Sequence, residues 1–343
     1  MPSLSAQGRT AASELGLGAE YAGWLASLDA APDADPELPF ASSGDAVTLE
    51  RLGVSAEDAA AVLASQRHLD RSPGFRWLLR QCRRLVIASM GDLSCPELRL
   101  PQLPAALGLA GRCFPAHLFL ATLPATLEWQ ARQGIPAGAA SAVFQDLGRQ
   151  MDLYRRAHGE TGVDEPWWLL IHLRGLIYEF GRLQYNLLRI GAGGLSPRLW
   201  YDDAQARGLG TGFRHGDDAL GVHIPEAGPL TPQACADSLA AAGTFFGEFF
   251  PSPTRRLAIC ESWLLDDQLA EYLPADANII RFQRLFTLVP GWLPGDKDVA
   301  YFVFQRTAED LADAPQRTTL QRAIVSHVQA GQHWRVRSGW LEL

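Results

Sequence analysis

The stretch LGVHIPEAGPLTPQACADSLAAAGTFFGEFFPSPTRRLAICESWLL, residues 220–265, decides the fold of the second half of the chain. Its two ends, LGVHIP and RLAICESWLL, are short apolar runs typical of strands, and TPQACADSLAAAGTFFGEFF between them predicts a helix. Thr231 is a favourable N-cap for this helix, and Pro232 suits the first helical position. A strand, a helix and a second strand in this order predict an α/β arrangement.

The rest of the chain divides into two parts with different sequence patterns. Between residues 47 and 165, apolar residues recur three and four positions apart, which predicts helices separated by Gly or Pro. The transition is EPWWLLIHLRGLIYEFGRLQYNLLRI, residues 165–190, which begins as an apolar helix and ends in an alternating strand. Beyond it, helices alternate with further short apolar runs that predict strands: NIIRFQRLFTLV (278–289), VAYFVF (299–304) and SGWLEL (338–343).

These patterns predict an α+β chain in three parts. A partly flexible arm at residues 1–45, rich in Ala, Gly, Ser, Pro and Asp, precedes an all-α domain at residues 46–165. An α/β domain with a mixed central sheet follows at residues 166–343.

The composition excludes several classes of function. Of the 343 residues 47% are hydrophobic and 20% are charged, an ordinary globular balance, and the net charge of −8 disfavours general binding to nucleic acid or anionic membranes. The five cysteines form no CxxC pair, and His172 and Glu179 are too weak a pair to indicate a metal, so we expect neither a metal site nor a disulfide framework. We see no apolar run of membrane-spanning length and no signal peptide, and we expect a cytoplasmic protein.

Two junctions between a predicted strand and a helix are candidates for an anion site, because a helix N-terminus presents unpaired N–H groups and a positive dipole end. GVHIPEAGPLTPQ carries Glu226 and no basic residue, so we expect it to repel an anion. The second junction follows VAYFVF and is basic. It combines arginines with N-cap candidates: Arg306, Gln316, Arg317, Thr318 and Thr319. Neither junction carries a GxGxxG or GxxxxGK[ST] motif, which disfavours a dinucleotide or P-loop nucleotide.

Four segments resemble the two-part bacterial acyltransferase-like proteins, which pair a helical N-acyltransferase N-terminal domain with a GNAT-like C-terminal domain. They are QARQGIPAGAASAVFQDLGRQ, WLLIHLRGLIYEFGRLQYNL, GVHIPEAGPLTPQACADSL and CESWLLDDQLAEYLPADANIIRFQRLF. The resemblance covers roughly residues 45–343, and its most specific pieces are GRLQY, HIPEAGPL and SWLLDDQL. It implies a GNAT-like fold and acyl-CoA chemistry.

The resemblance also implies a place for the donor, because the CoA pyrophosphate of GNAT enzymes lies on the helix after the fourth strand. If LGVHIP is the first strand, VAYFVF is the fourth. The implied CoA-binding residues are then Phe304, Arg306, Gln316, Arg317, Thr318 and Thr319. QRTTLQR departs here from the usual Q/RxxGxG/A pattern, because threonines replace the glycines.

Acyl transfer from a thioester to an amine needs a general base and a proton for the leaving thiolate. His223 at the end of LGVHIP and Glu261 in AICESWLL are the candidate bases, and Tyr301 is the candidate proton donor. Each of these residues has a structural alternative. His223 then orders the HIPEAG turn, Glu261 lies on a solvent-exposed face, and Tyr301 is an ordinary packed tyrosine.

Four other side chains are candidates for contact with the acceptor substrate. Arg182 and Gln184 lie in GRLQY, and Ser262 and Trp263 follow Glu261. The alternatives are that the first two simply tie the two domains together, with their polar groups hydrogen-bonded if buried, and that Trp263 is a core anchor.

We therefore expect an acyl-CoA-dependent N-acyltransferase that transfers the acyl group directly from acetyl-CoA or another acyl-CoA to a small-molecule amine. One alternative is a non-catalytic GNAT-like binding or scaffold protein. The other is a transferase whose donor is an aminoacyl-tRNA or a carrier-protein thioester, with a local basic patch formed by Arg80, Arg83, Arg84, Arg155 and Arg156. The sequence leaves open the acceptor, the acyl chain, the oligomeric state and the pathway.

Overall fold

The computed structural model describes residues 4–30, 46–95, 98–191, 214–306 and 311–343. The chain divides into two compact units, Met1–Leu176 and Ile177–Leu343. The boundary lies after the position near residue 165 that we predicted, because the apolar helix Pro166–Leu173 packs within the first unit. Thr126 Oγ1 donates a hydrogen bond of 2.7 Å to the Leu173 carbonyl at the end of that helix.

The described part of the first unit is helical, as predicted. Its helices are α1 (Ala6–Glu14), α2 (Ala22–Asp29), α3 (Ala46–Arg51), α4 (Ala56–Arg71), α5 (Pro73–Ala88), α6 (Gly108–Arg132), α7 (Ala137–Ala142), α8 (Asp146–His158) and α9 (Pro166–Leu173). The predicted flexible arm differs from the structure over residues 4–30, where α1 and α2 bury Ala11, Leu25 and Leu28. Residues 31–45 of the arm lie outside the described residues.

Helix α6 is the central helix of this unit. Together with the short turn before it, it forms a segment, Ala105–Arg132, that is long and apolar enough to cross a membrane by length and composition alone. We expected no such run. Since 61% of its most apolar window is buried inside the protein, packing within the unit accounts for its apolar composition.

Helix α6 also carries a buried histidine whose proton affinity affects stability. Nε2 of His117 lies 2.7 Å from Oγ of Ser65, and Ser65 donates its own proton to the Val62 carbonyl. The Ser65 hydroxyl therefore accepts from a neutral, Nε2-protonated imidazole. Burial lowers the pKa of His117 to about 4, against 6.5 for the free side chain.

We expect this histidine to make folding stability fall between about pH 6.5 and about pH 4. In this pH range the unfolded chain binds a proton that the folded chain excludes. The stabilisation is therefore complete above about pH 6.5 and is lost progressively as the pH falls to about 4. The loss is roughly 3 kcal/mol at most. Urea unfolding of the wild type and His117→Gln at about pH 7 and about pH 4.5 measures it. Equal pH dependence in the two proteins would contradict the assignment.

The second unit is built on a mixed sheet, as predicted. Its strands are β1 (Ile177–Phe180), β2 (Leu183–Arg189), β3 (Asp218–His223), β4 (Leu257–Ser262), β5 (Thr287–Leu288), β6 (Leu293–Pro294) and β7 (Arg335–Glu342). The strand order is β1-β2-β3-β4-β7-β5, and β6 pairs with β7. The pair β3–β4 is parallel, whereas the other described pairs are antiparallel.

The helices in the described part of this unit are α10 (Pro232–Phe249), α11 (Asn278–Gln283), α12 (Asp296–Phe304) and α13 (Thr319–Gln329). Helix α10 covers one face of the sheet, where Phe245 packs against Tyr178 and Phe180 at ring-centroid distances of 4.7 and 4.9 Å. Tyr185 on the same face hydrogen-bonds Ser238 of α10 at 3.0 Å.

Two of the predicted strands are wrong. VAYFVF is the C-terminal part of α12, which has two aspartates in its first turn and buries Val299 and Ala300. NIIRFQRLFTLV begins as α11 and contributes only the short strand β5. Short apolar runs fit a buried strand and a buried helix equally well by periodicity, so packing decided both cases. LIYEF lies in the part of residues 165–190 that precedes the predicted strand, yet it contains β1, because packing decides the structure of this apolar run too.

Candidate active site

The pairing of the parallel strands β3 and β4 stops before the strands end, and we call the space beyond the last registered pair the cleft. They are in register at Leu220 with Ala258 and at Gly221 with Ile259, and the described ladder ends there. Helix α10 makes the connection between the two strands, so its N-terminus, which follows β3, lies at the edge where they diverge. A gap between parallel strand ends, beside a helix N-terminus, is a place where an open sheet binds ligands.

The two predicted bases stand on opposite sides of this cleft. His223 and Glu261 each lie two residues beyond the last registered pair, on β3 and β4 respectively. They share the face of the sheet opposite α10, because side chains alternate along a strand. Both are half-buried.

Each of these side chains is held by a polar residue of the neighbouring strand. His223 Nε2 lies 2.7 Å from Oδ1 of Asn186, which is on β2. Ser338 Oγ of β7 donates to Glu261 Oε2 at 2.9 Å. We predicted neither partner. The alternation in LQYNLLR places Asn186 on the same face as Gln184, so the sequence could have indicated Asn186 as a second polar residue of this face. No sequence pattern pointed to Ser338.

The predicted residues of GRLQY lie at the same edge of the sheet. Arg182 forms the tip of the β1–β2 hairpin and donates to the Pro225 carbonyl at 3.0 Å, just after β3. Gln184 stands opposite His223 in the ladder and donates to Glu179 at 3.0 Å. These two partners belong to the second unit, so the two hydrogen bonds do not tie the two domains together, which was the alternative to substrate binding.

The start of α10 carries a positive charge that the sequence did not reveal. Thr231 accepts a hydrogen bond from the Ala234 N–H, which makes it the predicted N-cap. Burial raises the pKa of Cys235 in the first turn, and the charge of Arg182 acts in the opposite direction. The hydrogen bond from Arg182 to the Pro225 carbonyl places that charge on the loop that leads from β3 to α10. Arg182 therefore offsets the exposed Glu226, our reason for rejecting this junction.

The junction that we preferred, before α13, lacks the strand on which its prediction depended. Helix α12 occupies the place of the presumed fourth strand, and Phe304 and Tyr301 lie on it. Thr318 is the N-cap of α13, as predicted, but a reciprocal capping box satisfies the helix start: Gln321 N donates to Thr318, and the Gln321 amide oxygen accepts from Thr318 N.

The other residues of this junction also have local partners. Arg306 pairs with Asp313 at 2.6 Å, and the backbone N–H of Arg317 donates to Gln321 at 2.9 Å. Arg322 reaches back to the Gln316 carbonyl at 3.4 Å and donates to Thr319 Oγ1 at 3.1 Å. The structure thus groups these residues with their own neighbours along the chain.

The residues after Glu261 have structural roles. Ser262 Oγ accepts from Leu264 N at 3.1 Å and caps a short 3-10 turn. Trp263 is buried in the hydrophobic cluster under α12 and α13, as the core alternative proposed. Cys260 faces the other side of β4, and burial raises the pKa of its thiol, which disfavours an acyl-enzyme at this position.

The proposed basic patch of the first unit is largely neutralised. Arg155 pairs with Glu57 and Asp58, and Arg156 pairs with Asp152. Arg83 is buried and donates to the Ala121 carbonyl. Among the described residues, no group of three or more His, Cys, Asp or Glu side chains is placed to hold a metal ion.

The mixed sheet, with two base candidates beyond the last pair of its parallel strands, fits the class of enzymes that transfer an acyl group from a CoA thioester. Comparison with known proteins agrees with this class. The family profile described as N-acyltransferase N-terminal domain matches residues 46–175, and the one described as GNAT-like C-terminal domain matches residues 177–341.

Solved structures match the chain almost end to end, each over 98% of this chain and 99% of the other. An acyltransferase in complex with decanoyl-CoA is 37% identical, with a TM-score of 0.85. An acyltransferase in complex with decanoyl-CoA and teicoplanin is 36% identical, and an acyltransferase mutant in complex with octanoyl-CoA is 34% identical, both with a TM-score of 0.84. The search of curated proteins gave no match.

The chain belongs to the family of acyltransferases that join an N-acyltransferase N-terminal domain to a GNAT-like C-terminal domain. The predicted resemblance, the fold class and the assignment as an acyl-CoA-dependent N-acyltransferase are confirmed. The non-catalytic alternative loses its main support, because the missing glycines belong to a junction outside the cleft.

Proposed function

We propose that this enzyme transfers an acyl chain of octanoyl to decanoyl length from CoA to an amine of a teicoplanin-like glycopeptide. The observation that carries the proposal is the end-to-end match, at 36% identity, to an acyltransferase in complex with both decanoyl-CoA and teicoplanin. The same relatives favour a longer acyl-CoA over the acetyl-CoA that we had included among the donors.

We place the donor in the cleft between β3 and β4. The backbone edges that the two strands expose as they diverge suit the amide groups of the pantetheine arm, in the manner of an added strand. The pyrophosphate then reaches the N-terminus of α10, where helix N–H groups and the nearby charge of Arg182 offset its negative charge.

Catalysis in this arrangement is direct transfer. The neutral amine attacks the thioester carbonyl, the C–N bond forms and the C–S bond breaks. His223 accepts the proton that the amine loses and then releases it to the CoA thiolate, so that protons balance and the imidazole returns to its neutral form. Histidine is the better base of the pair because its ordinary pKa lies near neutral pH. Glu261, held by Ser338, supplies negative charge that favours the imidazolium.

The chemical proposal is tested by a substrate panel. The purified enzyme is given acetyl-, octanoyl- or decanoyl-CoA with a teicoplanin-type glycopeptide that has a free amine, and products are followed by mass spectrometry. We expect an added octanoyl or decanoyl group and at least a tenfold lower kcat/KM with acetyl-CoA. Equal rates for all donors would overturn the proposed chain length. Transfer to simple amines but not to the glycopeptide would overturn the acceptor.

The location of the donor gives a separate prediction. We expect Arg182→Ala to weaken CoA binding about tenfold, since it removes a cation beside the pyrophosphate. Isothermal titration of CoA measures this loss. Arg182→Gln removes the charge but retains a donor for the Pro225 carbonyl, so it distinguishes the loss of the charge from the loss of this hydrogen bond. Arg317→Ala at the start of α13 is the matched control and is expected to bind CoA as the wild type does. The reverse pattern would place the donor at α13.

A further inference from the structure

Asn186 is a polar residue in a strand whose other side chains are almost all buried and mostly apolar. Only 2% of its surface is exposed, and burying an amide costs free energy unless it is fully hydrogen-bonded. Its two polar atoms face different partners. Nδ2 donates to the Leu187 carbonyl at 3.0 Å, and Oδ1 lies 2.7 Å from Nε2 of His223.

These two contacts determine the state of the histidine. Because the amide nitrogen is directed at a carbonyl, the atom facing the imidazole is an acceptor, so His223 Nε2 carries the proton. The lone pair of the neutral ring is then on Nδ1, the nitrogen that accepts a proton in base catalysis. We propose that Asn186 is a positioning residue, which holds His223 in the tautomer and orientation that acyl transfer requires.

Gly221 makes this contact possible. It stands opposite Asn186 in the β2–β3 ladder and two residues before His223. A Cβ at position 221 would lie 2.0 Å from Asn186 Oδ1 and 3.0 Å from its Cγ. The Asn186 amide therefore crosses β3 through the space that the missing side chain leaves, and any other residue at position 221 displaces it.

The charged groups around the imidazole come from every neighbouring element. On β1, Glu179 is hydrogen-bonded to Gln184, which stands opposite His223. Glu261 occupies the corresponding position on β4. Arg182 and Glu226 flank the loop that follows β3. Asn186 is neutral, so it orients the ring without the pKa rise that a carboxylate in its place would cause.

This inference rests on the proposed role of His223 as the base, and its test has one readout that needs no turnover. The imidazole ¹⁵N resonances of His223, assigned by comparison with His223→Gln, report the tautomer. We expect the Nε2-protonated form in the wild type and a mixture of tautomers in Asn186→Ala. An Nδ1-protonated ring in the wild type, or the same tautomer in both proteins, would overturn the proposal.

The kinetic readout separates positioning from mere stability. We expect Asn186→Ala and Gly221→Ala to lower kcat by about 10- to 100-fold with little change in KM. Asn186→Asp restores an acceptor and is expected to recover activity at high pH, with the acid limb of the pH–rate profile moved up by about one unit. Gly339→Ala is the matched control. It crowds a strand of the same sheet, with Phe286 Cβ at 2.9 Å, but leaves Asn186 untouched.

The outcomes distinguish the two proposals. If His223→Gln abolishes transfer while the Asn186 variants keep wild-type kcat and an unmoved acid limb, only the positioning role is wrong. If Gly339→Ala loses as much kcat as Gly221→Ala, a general loss of stability explains both and the positioning role fails. If His223→Gln stays active, the base assignment itself fails, whatever the tautomer. If Asn186→Ala does not fold, Asn186→Asp and Gly221→Ala decide.

Discussion

Replacing His223 with glutamine is expected to lower kcat/KM for acyl transfer by about 10²- to 10³-fold, within the range that a lost general base costs. Glutamine is similar in size and retains a donor for Asn186, so the change removes mainly the basic nitrogen. Donor affinity should stay within about twofold, because the pyrophosphate site that we propose is at the start of α10 and not at His223. Steady-state kinetics with decanoyl-CoA, together with isothermal titration of CoA, measure both quantities.

Two companion variants define the controls for this prediction. His333→Gln changes a histidine that is 81% exposed and paired with Asp296, so its activity should match the wild type. Glu261→Gln should cost less than His223→Gln, since it removes a charge that supports the imidazolium. If Glu261→Gln is instead the more damaging change, Glu261 is the base, and the roles on the two sides of the cleft are exchanged.

Replacing Arg155 with methionine is expected to lower the free energy of unfolding by about 3–5 kcal/mol, the usual cost of leaving a buried charge without its partner. Arg155 of α8 pairs with Asp58 of α4, whose side chain is only 1% exposed. Ser55 and Thr161 each donate to the same carboxylate at 2.8 Å. Urea unfolding followed by circular dichroism measures the loss.

The control for this pair is Arg156→Met. Arg156 forms an i,i+4 pair with Asp152 at 2.9 Å on the surface, and such pairs contribute only about 0.3–0.5 kcal/mol. Equal losses in the two variants would show that the methionine substitution, rather than the buried pair, is responsible. Both variants should keep kcat/KM, since both arginines belong to the first unit and the candidate bases belong to the second.

The Asp58 pair also has a defined pH dependence. Burial alone would raise the pKa of Asp58, but hydrogen bonds from Arg155, Ser55 and Thr161 hold it below its usual value. A carboxylate with a lowered folded-state pKa stabilises the protein above the unfolded value near 3.8, and the stabilisation is lost as the pH falls below it. This acid-induced loss should be smaller in Arg155→Met.

Local chemistry in the sequence was a good guide where a short-range mechanism decides the structure. Thr231 and Thr318 cap their helices as predicted, because an N-cap hydrogen bond spans only three residues. The strand of LGVHIP places His223 at its C-terminal end, and the strand of AICESWLL does the same for Glu261. The two candidate bases were therefore identified before their positions in space were known.

The same local reasoning failed where a run of apolar residues fits two structures. VAYFVF has the residues of a buried strand, yet it completes α12 because Val299 and Ala300 pack into the core beside α13. That single error underlies the prediction of a donor site at the start of α13, whereas we propose the start of α10. The order of elements alone could not correct it, since a helix counted as a strand shifts every later assignment.

The sequence by itself determined the helical first half, the mixed sheet of the second half, the family and the residue types that acyl transfer requires, because periodicity, caps and motifs are local properties. The tertiary structure alone decided that β3 and β4 are the parallel pair, that Arg182 contacts the loop between β3 and α10 and that Asn186 reaches His223 over Gly221. These contacts join residues far apart in the chain, and they form only when strand pairing brings their backbones together.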